Sequence, residues 1–339
     1  MTTTFSSLPI VDVSPLKYPD PSTKDLNSLS QRLYDVFATT GFAYLVNTPL
    51  SFNHADVFNL TESFFALPEE EKMKLAKKSF RKENSNTYRG YFPTQPELAT
   101  DNLKEGFEMG PSQPINATST TASETSRFNL AEPNIWPDPD VFPNRAKLEK
   151  LYDELQFLAS SLLSLLAISL GKPADFFSPY LEDSLSTLRL LHYPILPRKS
   201  DSGLGSSPEP EVKLSCTPHT DSGILTLLHQ DTTGGLEVRN SNGDWVSAPY
   251  IPESLVVNIG DLMAKVSGGR FVATMHRVRS PEWKPSYEGA GGRGRFSVPF
   301  FFEPGENCLI RAVDGDEGVV VYGVHVREKM KGFVEFRDL

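Results

Sequence analysis

Pro218-His-Thr-Asp-Ser-Gly-Ile-Leu-Thr-Leu-Leu228 sets His219 and Asp221 two positions apart, directly ahead of a β-prone apolar run. At strand spacing, residues i and i+2 point to the same face, so both side chains can reach one point. His276, in His276-Arg-Val278, comes 55 positions after Asp221, far enough to return on another strand. Two imidazoles and one carboxylate leave three positions of an octahedral metal open, an arrangement that suits non-haem Fe(II). Arg295-Phe-Ser297 repeats the i, i+2 spacing and offers a guanidinium fork and a hydroxyl to a carboxylate beside the metal. A His-x-Asp triplet alone carries little. Its order with a distant His and an Arg-x-Ser, among strand-like segments, carries the reading.

Short strands surround these motifs. Leu188 to Tyr193 stops at Pro194; Gly234–Arg239 and Trp245–Ala248 flank Asn242-Gly243, a hairpin signal. Leu255–Ile259, Phe271–Val278 and Phe296–Glu303 read as further strands, and Val324–Phe333 as a C-terminal helix. Upstream the periodicity is helical. Leu26, Leu29, Leu33, Val36 and Phe37 share one helix face ending at Gly41, Gly41–Val46 is a strand, and a second helix starts near His54. Asp140–Leu170 is a long helix, nearly all apolar from Leu155 on. The expected fold is mainly β with supporting helices, an antiparallel sandwich or barrel behind a helical first half.

The expected division is 8–118 as an N-terminal support, 119–182 as a loop and long buried helix, 183–305 as the jelly-roll core, and 306–339 as a tail. Residues 111–133 and 198–212 read as irregular Ser-, Pro- and Gly-rich loops. Lys72, Lys74, Lys77, Lys78 and Arg81 read as the solvated side of a helix rather than an anion-binding face.

The formal net charge is −10. Such a chain is a poor partner for nucleic acid or anionic membrane, so any cationic pocket must be local. Two cysteines, Cys216 and Cys308, indicate no disulfide framework and fit a reducing compartment. No signal-peptide pattern opens the chain, and no run approaches the roughly 20 apolar residues of a bilayer span. The expected setting is cytoplasmic, with a small-molecule partner.

The quoted motifs, with Asn258-Ile-Gly-Asp261, Leu8-Pro-Ile-Val-Asp12, Arg89-Gly-Tyr91 and Lys104-Glu-Gly-Phe107, resemble the isopenicillin N synthase-like 2-oxoglutarate/Fe(II)-dependent dioxygenases of fungal biosynthetic type. The resemblance runs from about residue 8 to 305. It implies a distorted double-stranded β-helix, a cupin-like jelly roll, with His219, Asp221 and His276 as iron ligands. It further implies 2-oxoglutarate and O2 as co-substrates, with Arg295, Ser297 and Tyr193 holding the former. The gap of 19 from His276 to Arg295 is long for the group, so Arg293 competes for the carboxylate role. The implied activity is hydroxylation, desaturation or oxidative rearrangement of a metabolite, with release of succinate and CO2. Substrate-side candidates are Arg89, Tyr91, Phe107, Phe301 and Glu303, and the segment Asn84–Phe92 is expected to lie over the metal as a lid. Two alternatives stay open: an Fe(II) oxidase of isopenicillin N synthase type that needs no 2-oxoglutarate, and a non-catalytic binding protein on the same fold.

Overall fold

The helical periodicity of the first half becomes α1 (Thr23–Thr39), α2 (His54–Phe65) and α3 (Glu69–Lys74). Ser22 caps α1 by accepting from the Asp25 amide at 3.1 Å, and Asn53 with Asp56 forms a capping box at the start of α2. After α1 the chain reverses at Gly41, whose φ is +71°. A Cβ there would stand 2.2 Å from the Val272 carbonyl oxygen, so only glycine fits. The structure, a computed structural model, describes residues 3–95, 103–113, 129–195, 213–281, 293–315 and 319–330. Most of the loops expected at 111–133 and 198–212, the glycine-rich stretch before Arg293 and the end of the expected C-terminal helix lie outside the described residues.

Twelve strands build the body: β1 (Ile10–Asp12), β2 (Phe42–Val46), β3 (Gly90–Phe92), β4 (Glu105–Met109), β5 (Thr187–Tyr193), β6 (Leu214–His219), β7 (Leu225–Gln230), β8 (Leu236–Arg239), β9 (Trp245–Ser247), β10 (Leu255–Ile259), β11 (His276–Arg279) and β12 (Arg295–Phe302). Eight form one sheet in the order β1-β2-β10-β7-β12-β5-β4-β3, and four form the facing sheet β6-β11-β8-β9. Among these described strands only the β1–β2 pair is parallel. The result is the double-stranded β-helix. The first half supplies strands as well as helices: β1 to β4 extend the large sheet at both ends.

α4 (Arg145–Ser169) packs its leucine face on α1 and the outside of the large sheet. Ser30 on α1 donates to the Leu165 carbonyl at 2.8 Å, and Tyr152 meets Phe300 edge-on at 5.3 Å. By length and composition alone this helix could cross a membrane, although Gln156 and several serines interrupt its apolar run. Here its apolar face is buried in the core. Two further helices follow, α5 (Asp261–Val266) and α6 (Tyr322–Met330).

The basic cluster departs from the expected solvated face. Lys72 and Lys77 are buried; Lys72 bonds Glu105 at 2.9 Å, and Lys77 pairs with Glu108. Lys72 fastens α3 to β4 and Lys77 the segment just after α3, and removing one partner would leave the other charged group buried alone.

A second buried carboxyl behaves differently. Burial pushes Glu303 up to about 7, against the neighbouring Tyr322 hydroxyl and the nearby Arg89 and Arg189, while Glu108 adds to the rise. From about pH 4.5 to 7 the folded chain holds a proton that the unfolded chain has released. Stability therefore falls as pH rises through that window and levels off above it. Glu303→Gln should flatten this dependence, sparing up to about 3 kcal/mol between pH 5 and pH 8. Urea unfolding of both proteins at the two pH values is the check, and parallel curves would refute it.

Candidate metal centre

His219 is the last residue of β6, Asp221 lies just past the strand end, and His276 opens β11 beside them, paired in register with His219. The one ligand atom that each offers lies within 4.8 Å of the others. Asp221 Oδ1 stands 3.7 Å from His219 Nε2 and 3.6 Å from His276 Nε2.

The surroundings set which atoms are free. His219 Nδ1 donates to the Thr217 carbonyl at 2.7 Å, and His276 Nδ1 to the Thr274 carbonyl at 3.2 Å. A carbonyl only accepts, so each Nδ1 carries its proton, and Nε2 is the atom that each imidazole has to offer a metal. Asp221 Oδ2 accepts from Thr226 Oγ1 at 2.6 Å and Asn258 Nδ2 at 2.8 Å, which leaves Oδ1 for a metal. Burial works against ionisation of Asp221, yet His276 and His219, helped by Asn258 and Thr226, hold its carboxyl below the ordinary range. Burial shifts His276 toward its neutral form, the one that ligates. The donor set therefore fits Fe(II).

Backbone bonds fix the loop that carries Asp221. Its carbonyl accepts from the Asp261 amide at 2.8 Å, and the Gly223 carbonyl accepts from Leu262 at 3.1 Å. A Cβ on Gly260 would lie 2.2 Å from the Gly223 oxygen, so this close approach needs glycine. Phe42 braces the His276 ring edge-on at 5.2 Å.

β12 supplies the second half of the site. Arg295, Ser297, Pro299 and Phe301 line one cavity with His219, Asp221 and His276, while Val298, Phe300 and Phe302 enter the core behind. Arg295 is 1 % exposed. It donates to the Gly234 carbonyl at 2.7 Å and to Ser297 Oγ at 3.1 Å, and lies 4.8 Å over the Tyr193 ring. Among the described residues no carboxylate forms an ion pair with it. A buried guanidinium without an anion beside a three-ligand metal set fits the distal carboxylate of 2-oxoglutarate. Arg293, the expected competitor, has a 63 % exposed side chain paired with Glu62. The cavity holds about 90 Å³. A cleft of about 430 Å³ between α2 and α4 is larger but lined by Ser51, Asp56, Lys147, Lys150 and neighbours, with none of these groups. Donor chemistry, not size, locates the site.

Of the substrate-side candidates only Phe301 lines the cavity. Arg89 is 1 % exposed and turned into the core, donating to Thr187 Oγ1 at 2.6 Å and the Leu185 carbonyl at 3.2 Å. Tyr91 donates to Glu105 at 2.6 Å, Phe107 stacks on Phe64 at 4.4 Å, and Glu303 is buried beside Tyr322. The lid expectation for Asn84–Phe92 gives way for the same reason. Glu132 accepts from the amides of Thr87, Tyr88 and Arg89, and Asn84 and Asn86 tie the segment to carbonyls around α3. It is scaffold. Sequence reading assigned no site role to Lys104, Arg189 or Cys216, all of which line the cavity. Arg189 sits four residues before Tyr193 on β5, so strand alternation already assigned it the same face.

Residues 186–304 match the family described as the 2OG-Fe(II) oxygenase superfamily, and residues 8–139 that described as non-haem dioxygenase in morphine synthesis N-terminal. The 2-oxoglutarate-dependent dioxygenase citB of Monascus ruber is 30 % identical over 321 residues, 91 % of this chain and 88 % of that protein. The chain belongs to the 2OG-Fe(II) oxygenase superfamily. A probable iron/ascorbate oxidoreductase of Dictyostelium discoideum is 31 % identical to this oxygenase over 93 % of its length and 86 % of the relative's. Among solved structures, a full-length Neurospora crassa protein in complex with alpha-KG and thymine superposes with a TM-score of 0.74 at 25 % identity, covering 95 % of this chain and 96 % of that one. The protein is an oxidoreductase that uses Fe(II), 2-oxoglutarate and O2.

Proposed function

We propose that His219, Asp221 and His276 hold the iron of this oxygenase, that Arg295 with Ser297 and Tyr193 holds the distal carboxylate of 2-oxoglutarate, and that the substrate is a small natural-product metabolite. The observation that carries this reading is the buried Arg295, without a carboxylate partner among the described residues, in the same cavity as the triad. When bound, the iron with 2-oxoglutarate and O2 supplies the oxidation of a substrate C–H bond, with release of succinate and CO2. The chain's own part is orientation. Thr226 and Asn258 fix Asp221, the Thr217 and Thr274 carbonyls fix the imidazole tautomers, and Leu191, Leu228, Leu236 and Val278 keep the walls dry. The absence of a pairing between Cys216 and Cys308 suits the cytoplasm, where Fe(II) stays reduced.

The Arg-x-Ser pair by itself serves equally an Fe(II) oxidase that does without 2-oxoglutarate. The 2-oxoglutarate-dependent dioxygenase of Monascus ruber and the Neurospora crassa neighbour holding alpha-KG favour the co-substrate reading. Succinate and O2 measured together with Fe(II) and ascorbate decide it. The expected result is 2-oxoglutarate-dependent succinate release, increased by the correct metabolite; O2 uptake without succinate would establish the oxidase instead.

A further inference from the structure

The cavity has a second basic end that neither the iron nor 2-oxoglutarate uses. Lys104, just before β4, and Arg189, on β5, both line it. Arg295 pairs in register with Tyr193, and Arg189 lies four residues back along the same strand. At about 3.3 Å per residue the two guanidinium-bearing positions are roughly 13 Å apart along the sheet. The two positions are far enough apart along the wall for Arg189 to meet a ligand group other than the one at Arg295.

Arg189 is placed to do so. It is fixed by Glu108 and flanked by the rings of Phe301 at 5.2 Å and Phe92 at 5.7 Å, and its side chain is 26 % exposed. Glu108 is not its alone, because the same carboxylate holds Lys77. Between the two basic ends the walls are apolar: Leu191, Leu228, Pro299 and Phe301. An apolar wall lowers the local dielectric and strengthens a charge-assisted hydrogen bond at its end. Arg189 brings a rigid fork of donors and Lys104 a rotatable ammonium, a combination that matches a carboxylate and discriminates against a neutral group.

We infer that Arg189 and Lys104 anchor a carboxylate of the primary substrate, which is an organic acid with an apolar body lying along the Leu191–Phe301 wall toward the metal. This rests on the reading that 2-oxoglutarate occupies Arg295.

The test uses the Fe(II)-loaded full chain under nitrogen with saturating 2-oxoglutarate, where nothing turns over. Benzoate, hexanoate and 4-phenylbutyrate are titrated calorimetrically beside their primary amides. At least one acid should bind at least about tenfold tighter than its amide, equivalent to about 1.4 kcal/mol. Arg189→Gln and Lys104→Met should each erase most of that preference, and Arg189→Lys should keep part of it. Should Arg189→Gln fail to fold, because Glu108 loses a partner, Lys104→Met decides alone. Absence of any acid preference in the unmodified protein, or a preference that survives both substitutions, overturns the inference. Failure of the co-substrate reading shows separately, as absence of 2-oxoglutarate binding before any acid is added.

Discussion

Asp221→Ala is expected to strip Fe(II) from the protein and end 2-oxoglutarate-dependent succinate release. Asp221 supplies the only carboxylate of the three-donor set, and its Oδ1 stands between the two imidazole Nε2 atoms. Two neutral imidazoles cannot define the facial arrangement that Fe(II) takes with two histidines and a carboxylate. The loss of iron affinity should exceed the roughly 10- to 100-fold that removal of an outer hydrogen-bonding partner costs. His276→Ala should do the same. Iron content after gel filtration and single-turnover succinate yield are the measurements. Near-normal values for either variant would show that iron is held elsewhere.

The second large effect belongs to Arg295. Arg295→Ala removes a guanidinium that is 1 % exposed and braced by Gly234, Ser297 and the Tyr193 ring. Breaking a desolvated charged pair costs about 2–5 kcal/mol, roughly thirtyfold to several thousandfold in 2-oxoglutarate affinity. Iron should stay bound, since Arg295 touches none of the three ligands. Arg293→Ala is the matched control: its side chain lies at the surface with Glu62 and should leave 2-oxoglutarate affinity unchanged. Equal losses at the two positions would move the carboxylate site away from Arg295.

The metal set was legible in the sequence because its signal is local. His219 and Asp221 are two apart, Arg295 and Ser297 are two apart, and only His276 had to be matched at a distance. The amphipathic helices α1 and α2 were legible for a similar reason, as repeated apolar positions on one face. What stayed hidden depends on pairings across the sheet. Lys72 and Lys77 look like a solvated basic stripe until β4 brings Glu105 and Glu108 against them. Arg89 looks like a loop cation until Thr187 of β5 and the Leu185 carbonyl just before that strand receive it. α5 was missed because six residues after Gly260 are too few to display a helical period. Arg189 stayed hidden because Tyr193 is implied by family resemblance and not by strand alternation, which is what puts position 189 on the same face.

β12 has one further consequence, for how this enzyme can vary over evolutionary time. Its odd-numbered residues from Arg295 to Phe301 look into the cavity, and Val298, Phe300 and Phe302 look into the core. The strand is held on both sides, by β5 and by β7, so it cannot slide to absorb an extra residue. A single insertion or deletion there works like a frameshift in protein form: every position beyond it exchanges its role, putting phenylalanine in the cavity and a guanidinium in the core. Substitutions at the odd positions can retune the enzyme one side chain at a time. Changes in length have to enter at the loops, where no parity is at stake.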